Sequence, residues 1–133
     1  MIRVYVDAAF SNGNAGVGVV IYDGEKQNVQ SFYIQNVKDN HHAEFQAMLL
    51  ALDYIIDNAL HHNTIQLFSD SLVVVKAIER LSAKNEWQHA YVEQLKERLS
   101  QFSLYFVNWF SQKDNQFVDK VAKRALLSGQ DVV

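Results

Sequence analysis

The stretch Ile2-Arg3-Val4-Tyr5-Val6-Asp7-Ala8-Ala9-Phe10-Ser11-Asn12-Gly13-Asn14-Ala15-Gly16-Val17-Gly18-Val19-Val20-Ile21-Tyr22 decides the fold. Its apolar residues recur with a period of two, which predicts a strand over 2–7 with Ile2, Val4 and Val6 on one face and Arg3, Tyr5 and Asp7 on the other. The Asn and Gly residues of 8–16 read as a turn, and the β-branched run 17–22 as a second strand. Asp23-Gly24 is a hairpin signal leading to a third strand over roughly 28–36. The opening third is therefore an antiparallel meander.

From Asn40 the period lengthens. Phe45, Met48, Leu49, Leu52, Ile55, Ile56 and Ala59 fall at helical steps, so a helix is expected to about His61. A fourth strand follows over 65–69. A helix from Ser71 to about Leu81, with Ser69 or Asp70 as cap, turns Leu72, Val75, Ile78 and Leu81 inward. A further helix over 86–100 puts Trp87, Tyr91, Leu95 and Leu99 on one face, the first two in the core. A fifth strand over 103–110 and a last helix over 115–128, stopped by Gly129, complete the pattern. The order fits an α/β fold with a five-stranded mixed sheet, three antiparallel strands plus two parallel, flanked by helices. No linker composition or repeat interrupts it, so residues 1–133 read as a single domain.

Composition narrows the chemistry. With 49% hydrophobic residues the chain can bury a core, and without cysteine it has no disulfide, thiolate metal site or cysteine nucleophile. No signal peptide pattern and no membrane-length apolar run is present, so a cytoplasmic location with no membrane partner is expected. The net charge of −3 argues against a generic basic nucleic-acid binder.

Four acids stand where packing alone would not put them: Asp7 at the end of the first strand, Glu44 in the first turn of the long helix, Asp70 after the fourth strand, and Asp119 in the last helix. Each has a bland explanation. Asp7 starts a turn, Glu44 answers the helix dipole, Asp70 caps a helix, and Asp119 pairs with Lys123 four residues on. Together they fall at strand ends and helix beginnings on one rim of an α/β sheet, where ligand crevices form. Four like charges on one rim need a counter-ion, and hard oxygen ligands suit divalent cations.

These residues resemble the ribonuclease H family, type 1, over nearly the whole chain. Val4-Tyr5-Val6-Asp7-Ala8-Ala9 with Gly16-Val17-Gly18-Val19-Val20-Ile21 is similar to its first hairpin, and Asn40-His41-His42-Ala43-Glu44-Phe45-Gln46-Ala47 to its helix motif. Phe68-Ser69-Asp70-Ser71 and Asn115-Gln116-Phe117-Val118-Asp119 resemble the third and fourth motifs. The resemblance implies a ribonuclease H-like fold and a metal-binding catalytic set of Asp7, Glu44, Asp70 and Asp119. It implies two Mg²⁺ or Mn²⁺ ions, with Asp7 bridging both, Glu44 and Asp70 completing one shell and Asp119 serving the other. It further implies hydrolysis of the RNA strand of an RNA/DNA hybrid to 5′-phosphate and 3′-hydroxyl ends by a monomer, a dimer being the alternative. Asn12, Asn40, Glu44 and Asn115 are the implied substrate-binding positions.

The chain departs from that pattern in three places. Its first turn is short and lacks the Gly-Asn-Pro-Gly order. The loop between Trp109 and Asn115 is trimmed and has no histidine, as in a short-loop branch of the family. The basic protrusion of some relatives is missing. His41 and His42 read as exposed, passive residues and Lys113 as a solvated loop lysine. Two other functions remain open at this stage: a catalytically weak or inactive nucleic-acid-binding or scaffold protein on the same fold, and a different nuclease.

Overall fold

The first strand runs further than its alternation predicts. In the computed structural model, which describes residues 1–131, β1 (Ile2–Ser11) continues through Asp7, and β2 (Asn14–Asp23) pairs with it antiparallel from Ile2 opposite Asp23 to Ser11 opposite Asn14. Only Asn12 and Gly13 turn, with left-handed φ values of 50° and 78°, as a two-residue hairpin loop requires. Gly16, expected in the turn, is a strand residue. A methyl group there would run into the Ala122 carbonyl and the Leu126 backbone, and one on Gly18 would meet the Val118 carbonyl. These glycines exist for close approach to the last helix, α4 (Gln116–Asp131).

β3 (Lys26–Ile34) pairs antiparallel with β2 across the Gly24 turn. α1 (Asn40–Asp57) ends before the expected His61, because Ala59 adopts a left-handed φ of 56° and a short 3-10 turn, Leu60–His62, follows. Then come β4 (Thr64–Ser69), α2 (Leu72–Arg80), a 3-10 turn Glu86–Gln88, α3 (His89–Leu99), β5 (Leu104–Trp109) and a 3-10 turn Gln112–Asn115 that leads into α4. The sheet order is β3-β2-β1-β4-β5, with β1, β4 and β5 parallel. The expected mixed sheet is thus what the chain forms.

Phe45, Met48, Leu52 and Ile55 of α1 bury against Ile2, Val4, Val6, Val17, Val19, Ile65 and Leu67, each contributing about 1.5–3 kcal/mol of apolar burial. α3 is tied to α1 by Arg98, whose Nε donates to Asp53 Oδ1 at 2.6 Å. Three packing expectations fail. Leu72 is half exposed because the α2 face is set by Val74, Val75, Ala77 and Ile78. Trp87 precedes α3 and lies at the surface, its ring tilted by 30° to that of His42 with centroids 4.6 Å apart. Gly129 does not stop α4: a side chain there would strike the Tyr33 ring, so the helix passes Tyr33 at that point and continues. Among the described residues no helix is long and apolar enough to cross a membrane.

Candidate active site

Parallel pairing sets the centre of the site. Val6 lies opposite Ser69 in the β1–β4 ladder, so the next residues, Asp7 within β1 and Asp70 just past the end of β4, stand side by side. The capping role expected of Ser69 or Asp70 belongs to Ser71, whose hydroxyl accepts from the Val74 N–H at 3.3 Å, while Ser69 Oγ accepts from the Ser71 N–H. The Asp70 carboxylate is therefore not needed by the helix. Its Oδ2 accepts from Asn115 Nδ2 at 3.0 Å, and its carbonyl accepts from Trp109 Nε1 at 3.0 Å.

Glu44 loses its bland explanation as well. Asp39 caps α1 by accepting from the His42 N–H at 2.9 Å, which leaves no acid in the first turn and puts Glu44 beyond the reach of the strongest dipole effect. Its Oε1 accepts from Asn40 Nδ2 at 3.2 Å and lies 3.3 Å from His41 Nδ1. His42 faces the other way and bonds the Tyr91 hydroxyl at 2.8 Å. Asp119 keeps its bland partner: Lys123 Nζ lies 2.9 Å from Oδ2.

Asp7, Glu44, Asp70 and Asp119 line one cavity of about 150 Å³ together with Ala8, Asn40 and Gln112. Asn12 is not among the lining residues and sits exposed at the hairpin tip. Asn115 is buried beside the cavity, and its Oδ1 has no hydrogen-bond partner. Lys113 is exposed. Gln112 went unnoticed because a polar residue in a short loop carries no periodic or motif signal. Trp109, too, gave no hint that its indole would fix the Asp70 backbone.

Burial pushes the Asp7 carboxyl up to about 8, helped by the charges of Asp70 and Asp119 and opposed by a backbone hydrogen bond at Ala8. Burial also raises Glu44, against the Ser71 hydroxyl and His41, and raises Asp70, against its bond from Asn115. Among the described residues no basic group stands within 4 Å of Asp7 or Asp70. The donors are hard oxygens, they are desolvated, and they lack cationic partners at the centre, which is the chemistry a Mg²⁺ or Mn²⁺ ion satisfies. As the side chains stand, no three acids or histidines among the described residues are gathered closely enough to cage an ion.

A family model described as reverse transcriptase-like matches residues 5–125. The chain belongs to that family. It is similar to EbsB of Enterococcus faecalis, a hydrolase by provisional name, at 34% identity over 128 residues, 95% of this chain and 94% of that protein. Among solved structures it is similar to RNase H1 from Halobacterium salinarum NRC-1, with a TM-score of 0.82 at 23% identity over 93% of this chain and 96% of that one. It is also similar to LC11-RNase H1, an enzyme isolated from compost, in complex with an RNA/DNA hybrid, with a TM-score of 0.78 at 22% identity over 98% and 99% of the two chains. The ribonuclease H fold expected from the motifs is the fold of this family member.

Proposed function

We propose that the chain is an endoribonuclease that hydrolyses the RNA strand of RNA/DNA hybrids with Mg²⁺ or Mn²⁺, leaving 5′-phosphate and 3′-hydroxyl ends. The observation that carries this reading is the convergence of Asp7, Glu44, Asp70 and Asp119 on one small cavity, with Asp7 buried and without a basic partner. In this reading Asp7, Glu44, Asp70 and Asp119 hold two ions. When bound, such ions activate water and stabilise the leaving oxygen of an in-line displacement.

The chain's own residues have separate tasks. Asn40 and Glu44, already hydrogen-bonded to each other, present an amide and a carboxylate edge suited to an RNA 2′-hydroxyl, which donates and accepts. Asn115 holds Asp70 in place and is the link between substrate and the acidic cluster. Asn12, at the hairpin tip, contacts the hybrid away from the cavity. The unit acts as one ribonuclease H-like domain over 1–133, as a monomer and in the cytoplasm.

A second reading has its own support. Asp119 is paired with Lys123, and the acids are not yet gathered around one point, which suits a catalytically weak nucleic-acid-binding or scaffold protein. Fluorogenic cleavage of RNA/DNA, RNA/RNA and DNA/DNA duplexes, each with Mg²⁺ and Mn²⁺, separates the two. Cleavage confined to the hybrid and abolished by EDTA is expected. Hybrid binding without turnover at millimolar cation favours the second reading.

A further inference from the structure

A second cavity, of about 370 Å³, opens between the sheet face that carries Arg3 and Tyr5 and the first turn of α4. The opening shares no lining residue with the acidic cavity, and its nearest strand residue, Tyr5, lies two residues, roughly 7 Å, from Asp7 along β1. Its volume falls in the ~300–1,000 Å³ range of small-ligand sites. Two rings form a corner. Tyr5 lies flat on Phe68 at 4.5 Å, and Tyr22 stands at 89° to Tyr5 with centroids 5.7 Å apart. Phe117, 47% exposed, lines the cavity from α4.

The polar groups at the rim are of two kinds. The Arg3 guanidinium sits 4.9 Å over the Tyr22 ring and donates to the Tyr5 hydroxyl at 3.3 Å, with no carboxylate within 4 Å among the described residues. Asp114 accepts from the Ser111 hydroxyl through Oδ2 alone, leaving Oδ1 available. An apolar occupant would strip water from Arg3 and Asp114 without replacing it, which is unfavourable for any polar group and more so for a charge. An occupant with a flat aromatic ring, N–H donors on the ring edge and an attached anion satisfies all of these groups together. Bases of any kind stack favourably on aromatic side chains, and a guanidinium is suited to phosphate.

We propose that this cavity binds a nucleotide unit, its base against Tyr5, Tyr22 and Phe117, its base-edge N–H groups on Asp114 and its phosphate on Arg3. The unit comes as a free mononucleotide or as one residue of a single strand. The site does not rest on the catalytic reading, and it has a route to the acidic cavity: Asn115 lines this opening and also bonds Asp70.

The test is an amide NMR titration of the whole chain in EDTA with guanosine 5′-monophosphate, whose base edge carries two adjacent N–H donors. Guanosine, inorganic phosphate and a short single-stranded oligonucleotide are titrated in parallel. Saturable shifts centred on Arg3, Tyr22, Asp114 and Phe117 are expected, with affinity falling about tenfold or more, some 1.4 kcal/mol, for guanosine and for the exposed-site variant Arg3→Gln. Saturation by the monophosphate assigns the free nucleotide, and shifts at these residues with the oligonucleotide alone assign the strand. Absence of shifts there with both probes overturns the proposal. So do equal shifts with inorganic phosphate, or unchanged affinity in both Arg3→Gln and Tyr22→Leu.

Discussion

Asp7 is 7% exposed and carries a carboxyl pushed up to about 8, so ionising it in the folded protein works against folding. The unfolded group titrates near about 3.9, and the folded state therefore holds the extra proton between these two values. Stability from this group is fully present below about pH 4 and is lost as pH rises through about 8. Replacing Asp7 with Asn removes that loss. Without divalent cations, Asp7→Asn should melt on the order of 5 °C higher than the wild type at pH 8, and the gap should close towards pH 4. Thermal melts in EDTA across that range check it, and a gap that is flat or widens at acid pH counts against the desolvated site. Asn115 makes a complementary case. Its Nδ2 supports Asp70 while its Oδ1 has no partner, so Asn115→Ala should cost about 1–2 kcal/mol in denaturant unfolding and raise the Asp70 carboxyl further, measurable by carboxyl NMR titration.

At the scale of elements, close backbone contact decides what sequence patterns alone misread. Gly18→Ala should lose at least about 2 kcal/mol, since the new methyl meets the Val118 carbonyl and the Ala122 amide, backbone that cannot yield by a rotamer change. Ser71→Ala should lose about 1 kcal/mol through the α2 cap. Urea unfolding measures both, and a Gly18→Ala loss no greater than the Ser71→Ala loss would deny the tight α4 approach. The strands, their order and the helix count were legible because alternation and helical spacing are local signals. The turn at 8–16 was not, because glycine marks a tight bend and a tight helix approach with the same letter. Burial of Trp87 is misread from spacing for a related reason: spacing fixes a face but not where the helix begins, and α3 starts at His89. The placement of the four acids on one rim was legible, since each follows from where an element is expected to begin or end, and all four line one cavity. Gln112 and Trp109 emerge only from tertiary contacts, and the cap Ser71 from a choice among three neighbouring candidates that local sequence leaves open.

For the whole molecule, charge is what the proposed function turns on. With 12 basic against 15 acidic residues, the surface supplies little general attraction for a polyanion, and hybrid binding should depend on cations held in the acidic cavity more than on surface lysines. Binding of a non-cleavable hybrid should weaken by about tenfold or more in EDTA relative to millimolar Mg²⁺, read by fluorescence anisotropy. The same cations should stabilise the wild type by up to about 2.7 kcal/mol at a hundredfold excess over Kd, read as a higher melting temperature, and leave Asp7→Asn nearly unmoved. The most direct test of the central claim is cleavage of an end-labelled RNA/DNA hybrid by the wild type and by Asp70→Asn under Mg²⁺ or Mn²⁺. The account predicts internal cuts in the RNA strand alone, with 5′-phosphate ends, and none from the folded variant. Equal cutting by the two proteins, or no cutting by the wild type with either ion, would contradict it.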